Sequence, residues 1–500
     1  MRKLTFVFSV LMVASMLLAA CTPAVTATPA PADTQASAAS APASAPASAA
    51  ASSAPASVAA PTATVLPQPT AATGFTGTKI TWFIGLGAGS NPEEVAKETA
   101  FVNKFNAKYG DKYYLVTQVV AAATAVDVLK TEVASGDVPD IVGPVGVKGM
   151  FQFEGAWLDL TDQIAKNKTD LSDFDPTLIN FYKMGPQGQI GLPFAIYPNA
   201  LWYNKDMFDE AGLAYPPHKF GDPYVAKDGT KTPWTFEELQ KLAMVLTVDK
   251  KGNDATNSAF DNTTIAQWGY DSTWMDVRGQ WNSLGASTFV AADGKTAVIS
   301  PAYRSAAHWY YDGMWKYHFI PTGSESASEY LAQGNTCASG HIGMMPNHTW
   351  YTCCFQKVNW DVAAIPSENG KITANLNADT FGILKASKNQ DAAYQVLSLM
   401  LGEFAPDLAA LYGAFPARKS LQTGAIAKMQ AQFPGVDLQV FIDAIKYADN
   451  PNYESGIPNF LKSYDIYNKF GSLYNSKGDL DLDKELDKLA KDLQASFDSK

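Results

Sequence analysis

The stretch Leu192-Pro193-Phe194-Ala195-Ile196-Tyr197-Pro198-Asn199-Ala200-Leu201-Trp202-Tyr203-Asn204-Lys205-Asp206-Met207-Phe208-Asp209-Glu210-Ala211-Gly212 decides how this chain folds. Up to Asn204 it reads as a strand that crosses from one region of the chain to another. From Lys205 a short helix follows and closes on Gly212, which tolerates the left-handed conformation that ends helices. Beyond it, Pro216-Pro217 and an insertion-like loop through Lys231 lead to Pro233-Trp234-Thr235-Phe236-Glu237-Glu238-Leu239. Thr235 and Glu238 stand at capping-box spacing and predict another helix start.

Upstream, Lys79 to Ile84 alternates like a strand, and the glycine-rich loop Gly85 to Asn91 precedes Pro92-Glu93-Glu94. Ser90 or Asn91 as N-cap, proline at the first helical position and two acids in the first turn predict a helix there. Tyr113 to Val120 predicts a strand, Ala125 to Ala134 a helix and Val138 to Val142 a short buried strand. Strands alternating with helices predict an α/β fold with a largely parallel sheet, whose ligands sit beyond the carboxyl ends of the strands. The loops Gly85 to Asn91 and Gly143 to Lys148 are therefore at the binding edge. The first of these lacks the Lys-Ser/Thr of a phosphate-binding P-loop.

The two ends of the chain differ in kind. Arg2 and Lys3 precede an apolar run from Leu4 to Ala20, too short for a mature membrane span, that ends in Leu18-Ala19-Ala20-Cys21. That tetrapeptide resembles a bacterial lipobox, which makes residues 1–20 a lipoprotein signal peptide and Cys21 a lipid anchor outside the cytoplasm. From 21 to 73 the chain is nearly all Ala, Ser, Pro and Thr, with Asp33 its one charge. Such a segment cannot bury enough apolar surface to fold, and serves as a tether with a span of roughly 40 Å. Residues 74–500 exceed what one core supports, so two lobes are expected. The net charge of −11 offers no basic patch for nucleic acid. Apart from Cys21, three cysteines remain, and in an oxidising compartment one disulfide is open to Cys337 with Cys353 or with Cys354, leaving one thiol over.

"LWYNKDMFDEAGL" followed by "PWTFEELQKLAMVLT" resembles the central signature of the type 1 extracellular solute-binding proteins, the carbohydrate-binding subunits of ABC importers. "VASGDVPDI", "WNSLGASTFVAADGKTAVISPAY", "CASGHIGMMPNHTW", "WDVAAIPSENG", "ADTFGILKASKNQDAAYQVLSLML" and "GAFPARKS" follow the family's order over nearly the whole chain after the tether. The resemblance implies a two-lobed periplasmic-binding-protein-like fold of type II, with ligand held between the lobes. Mapped onto this sequence, lobe 1 takes about 78–196 and 379–414, and lobe 2 about 201–371 and 420–500. The segments 196–200, 372–378 and 415–419 become the hinge crossings. It further implies a monomer that delivers a carbohydrate, an oligosaccharide by preference, to the transmembrane subunits of an ABC importer. The expectation is of binding without catalysis, cofactor or metal. The alternatives are a cell-surface glycan hydrolase or a binding protein for another polar solute such as glycerol phosphate or a polyamine.

Sugar rings offer C–H faces and a rim of hydroxyls, so a sugar site needs flat aromatics for the faces and planar polar groups for the rim. Trp350, in the loop after the predicted strand His341 to Met345, occupies the position where the family often stacks a sugar, and Asn347 shares that loop. Trp274, Asp276, Arg278 and Trp281 form an aromatic and charged cluster in "STWMDVRGQWN". Trp274 and Asp276 are the stronger candidates there, since Trp281 is at least as well suited to a lobe core. Tyr197 and Asn199 lie on the first crossing and Asp379 just after the second. Asn91 and Glu93 in the first loop and helix start are weaker candidates. His341, Met344, Met345, His348, Cys353 and Cys354 supply soft-metal ligands, but "HIGMM" reads as a buried strand and no CxxC or HxxxH spacing is present. Carboxylates for a hydrolase are plentiful, and no GxSxG or HExxH accompanies them.

Overall fold

The computed structural model describes residues 74–499, except 185–186, 273–274, 286–287 and the side chain of Cys353. The expected signal peptide, the Cys21 anchor and the tether lie outside the described residues, as does Trp274.

Among the described residues ten strands form the main sheet: β1 Thr78–Ile84, β2 Tyr113–Val119, β3 Ile141–Gly146, β4 Leu192–Asn204, β5 Val248–Asp249, β6 Ile265–Tyr270, β7 Ile342–His348, β8 Trp360–Ala363, β9 Leu376–Ile383 and β10 Phe415–Pro416. They run in the order β2-β1-β3-β9-β4-β7-β6-β5, with β8 and β10 also paired to β4. The sheet is mixed, not largely parallel as predicted. β1 is parallel to β2 and β3, and β6 to β7, whereas β4 is antiparallel to β7, β8, β9 and β10. Among the described residues, the strand-helix alternation that predicts parallel pairing holds only over 78–151. The later strands return to β4 from distant parts of the chain, and they enter the sheet in the opposite sense.

β4 changes partners halfway along. From Leu192 to Pro198 it pairs with β9, and at Ala195 and Ile196 with β10. From Asn199 to Tyr203 it pairs with β7, and from Leu201 to Asn204 with β8. Pro198 stands at the changeover, where its missing N–H removes no needed ladder bond. The Asn199 N–H donates to the carbonyl of Asn375 at 3.2 Å, just before β9 begins.

The core divides in the same place. Along β1, Ile80, Trp82 and Ile84 enter one cluster with Phe105, Leu397 and Phe404, and Phe83 enters another with Leu129, Val142 and Ile196. Along the far half of β4, Leu201 and Tyr203 join Trp281, Phe289 and Phe470, while Ala200 and Trp202 join Trp268, Ile342 and Trp360. The period of two therefore buries both faces of each half, which is why these strands carry almost no charge. The short helix after β4 spans Lys205–Glu210, and Gly212 follows at φ +69°. Thr235 accepts the Glu238 N–H at 3.3 Å and caps the helix Phe236–Leu246. Of the two disulfides the sequence leaves open, Cys337–Cys354 is the one formed.

Candidate functional site

A cavity of about 410 Å³ opens where β4 changes partners. Ala88 and Glu94 reach it from the loop after β1 and the first turn of the helix Pro92–Tyr109, and Gly146 from the end of β3. β4 contributes Tyr197, and β9 contributes Asn377, Ala378 and Asp379. Thr349, Trp350 and Thr352 come from the 3₁₀ turn Thr349–Gln356 that follows β7, and Tyr412, Gly413 and Glu454 complete the wall. The parallel strands β1 and β3 thus point their carboxyl ends at the cavity, as open α/β sheets place their ligands.

Trp350 is 39% exposed, a large value for an indole in the middle of a fold. The His348 ring stacks on it at 4.2 Å and 12°, and Tyr197 meets it at 5.1 Å and 61°. These contacts fix the ring plane while leaving indole surface free for a ligand. Burial holds His348 far below the usual imidazole range, at about 3, so it is a neutral aromatic support. The Tyr197 hydroxyl donates to Asp379 Oδ2 at 3.1 Å, and the Tyr453 hydroxyl donates to Asn377 Oδ1 at 2.9 Å. The buried Asp449 carboxylate accepts the N–H groups of Leu376 and Tyr453, tying the start of β9 to the segment that carries Glu454.

Two carboxylates of the wall are poorly compensated. Burial pushes Asp379 up to about 6 and Glu454 up to about 7, the latter opposed by the nearby Lys148 and aided by Asp276 and Asp379. Deeper, burial raises Glu98 to about 8, against a hydrogen bond of 2.9 Å from Tyr412. A carboxyl whose folded value lies above its unfolded value near 4 binds more protons in the native state than in the unfolded one. Stability from Asp379 and Glu454 therefore falls as pH rises from about 4 to about 7, and the penalty is complete above pH 7. Glu454→Gln should stabilise the ligand-free protein by about 1–2 kcal/mol at pH 8, allowing for partial exposure, and by nothing measurable at pH 4. Denaturation of the wild type and the variant at both pH values checks this; equal effects at both would place the penalty elsewhere.

Of the residues singled out in the sequence, Trp350, Tyr197 and Asp379 come together in this wall. Asn199 lies beside it, 1% exposed with neither side-chain polar atom hydrogen-bonded. Asp276 caps the helix Val277–Asn282 through the N–H groups of Arg278 and Gly279, and its Oδ2 is 4.0 Å from Lys148 Nζ. The other placements differ from expectation. Asn347 is in β7 opposite Ala200, 1% exposed, with its Oδ1 accepting the His348 N–H; β7 runs on through His348 and keeps Asn347 inside the sheet. Trp281 is fully buried among Phe289, Tyr303, Phe470 and Tyr474, because helical spacing turns it into the core. Asn91 is an exposed N-cap that accepts the Glu94 N–H at 2.9 Å, while Glu94 itself turns into the cavity. Glu93 pairs with Lys97 on the exposed face of that helix. Sequence reasoning missed Glu454, Tyr412, Asn377, Thr349 and Thr352. Asn377 lies in the second crossing and Tyr412 just before the third, so both were within reach of the hinge positions; nothing local marks Glu454. Among the described residues no group of three or more His, Cys, Asp or Glu side chains is placed to hold a metal ion, and no helix is long and apolar enough to cross a membrane.

Comparison with known proteins gives this geometry a context. A family model described as bacterial extracellular solute-binding protein matches residues 88–403. The sn-glycerol-3-phosphate-binding periplasmic protein UgpB of Brucella abortus is 25% identical over 211 residues, which is 39% of this chain and 42% of that protein. The matched segment thus spans less than half the length of this curated relative. Among solved structures, the ABC substrate-binding protein Lmo0181 from Listeria monocytogenes, in complex with cycloalternan, superposes with a TM-score of 0.64 at 20% identity, covering 85% of this chain and 100% of that one. The cyclic alpha-maltosyl-1,6-maltose binding protein from Arthrobacter globiformis gives 0.63 at 17% identity, covering 84% and 99%. The sugar-binding protein MalE from Xanthomonas citri gives 0.62 at 16% identity, covering 84% and 97%. At such identities these structures show the fold, a two-lobed α/β architecture of the type II periplasmic kind.

Proposed function

Since the chain belongs to the bacterial extracellular solute-binding protein family, we propose that it captures a sugar in the cavity at the β4 changeover and presents it to the transmembrane subunits of an ABC importer. The observation that carries this reading is the wall itself. Trp350 offers an aromatic face, and Asp379, Glu454, Asn377 and two threonines offer a rim of acceptors and hydroxyls within one cavity of about 410 Å³. That pairing suits the apolar faces and hydroxyl edges of a pyranose.

In this reading lobe 1 comprises about 78–196 and 379–414 and lobe 2 about 201–371 and 420–500, with β4 as one hinge crossing. The cavity then draws Glu94, Asp379 and Tyr412 from one lobe, Trp350 and Glu454 from the other, and Tyr197 from the crossing between them. A ligand that bridges both favours the closed form, and the permease reads the closed shape. The protein works as a monomer outside the cytoplasm, held by a lipid on Cys21 and carried on its Ala/Ser/Pro/Thr tether.

A thermal-shift screen of the mature protein across sugar classes tests the function, followed by incubation with the best binder. The expected result is a raised melting temperature with the sugar recovered intact, and a chelator without effect. Absence of any sugar that stabilises the protein would refute sugar capture. Released hydrolysis products would favour the hydrolase reading, for which Asp379 and Glu454 are the available carboxylate pair.

A further inference from the structure

The charges around the cavity narrow the ligand further, on the premise that the cavity is a sugar site. Among the described residues, the acids that line it are Glu94, Asp379 and Glu454, and no Lys, Arg or His lines it. Lys148, whose charge acts on Glu454, is already engaged: its Nζ is 4.0 Å from Asp276 and 3.8 Å from the centre of the Tyr464 ring. The acceptors are underfilled. An ionised carboxylate offers about four lone-pair sites. Asp379 receives one hydrogen bond, from Tyr197, and the Glu454 carboxylate receives none among the described residues.

A second observation, independent of the acids, points to an absent partner. Thr349 lines the cavity at 7% exposure with its Oγ1 unpartnered. Trp350 and Tyr197 add aromatic faces, which attract cations as well as C–H groups. The helix N-terminus that reaches the cavity is unsuited to an anion. Its first turn holds Glu93 and Glu94, and Glu94 Oε2 already accepts the Gly89 N–H at 2.8 Å. A phosphate entering here would face three carboxylates with no cationic side chain among the described lining residues, and like-charge repulsion in a partly buried cavity disfavours it.

We propose that the ligand is a sugar bearing a positively charged nitrogen, an amino sugar whose ammonium group lies between Asp379 and Glu454, and that phosphorylated sugars are excluded. Such a ligand supplies donors for the open acceptor sites of Asp379 and Glu454. It also reverses the effect of burial on Asp379 and Glu454, which otherwise sit near 6 and 7.

Matched sets test this on the full mature chain at pH 6.5: glucose, glucosamine and glucose 6-phosphate; the galactose series; and disaccharides of each kind, with spermidine as a cation that is not a sugar. Calorimetry should find the amino member of any binding set about tenfold tighter than its neutral counterpart, the phosphate silent, and the preference reduced below about threefold in Glu454→Gln. A neutral or phosphorylated member binding as tightly as the amino member overturns the amino-sugar assignment while sugar capture stands. An unchanged preference in Glu454→Gln overturns the placement of the ammonium group. Binding of spermidine alone, or of nothing in the sets, overturns sugar capture and this inference together.

Discussion

Replacing Trp350 with alanine should weaken sugar binding by about 2–3 kcal/mol, roughly 30- to 150-fold in Kd, while leaving the protein folded. The indole keeps 39% of its surface exposed, and truncation removes a free face that a ligand would cover. Its plane is set beforehand by the stacked His348 ring and the edge-on Tyr197 ring, so the free protein loses no entropy in orienting it when ligand arrives. Trp350→Phe keeps a flat face in the same frame and should restore most of the affinity. Calorimetry against the best sugar from the screen, with a melting curve for each variant, decides the matter. If Trp350→Ala binds as tightly as the wild type, the indole is packing between the lobes and not a sugar platform.

The opposite behaviour is expected at Trp281. This indole has no exposed surface and meets four aromatic rings at centroid distances of 5.7 to 6.1 Å. Trp281→Ala deletes the largest side chain of that cluster and leaves a void that rigid aromatic neighbours cannot fill. The loss should be about 3–5 kcal/mol of stability, visible as a lower denaturation midpoint. Because Trp281 does not line the cavity, sugar affinity of the folded variant should stay within about threefold of the wild type. A stable variant with lost affinity would place Trp281 in the site and remove the distinction drawn between the two tryptophans.

These two residues show how far the sequence alone reaches. Both are tryptophans with an amide side chain within three positions. The sequence points to Trp350 through its resemblance to the family's stacking position and its loop beyond a strand end, the ligand edge of an α/β sheet, and the structure lines the cavity with it. Trp281 turns inward only because Asp276 caps a helix there, which fixes the rotation of every residue after it. Asn347 illustrates the same limit. One or two further residues of β7 change an amide from a loop position to a buried one, and strand ends are the least legible feature of a sequence. The mixed sheet was equally hidden, because pairing sense depends on where the chain re-enters and not on local pattern.

Glu454 marks the boundary most clearly. It is separated from Tyr197 by more than 250 positions and sits in a segment with no apolar period, so nothing nearby announces it. Its place comes from Asp449, which binds the backbone of both Leu376 and Tyr453 and so fastens a late loop to the start of β9. By itself the sequence determined the alternating strands and helices at the start, the uncharged strand from Leu192 to Asn204, the helix caps and the aromatic at position 350. These are consequences of local periodicity and backbone preference, which act within a few residues. Only the tertiary structure decided that β4 serves two halves of one sheet, that Cys337 pairs with Cys354, and that three carboxylates from distant segments share one cavity. Those outcomes follow from long-range burial and pairing, whose free energy depends on the whole packed chain and leaves no trace in any short window of it.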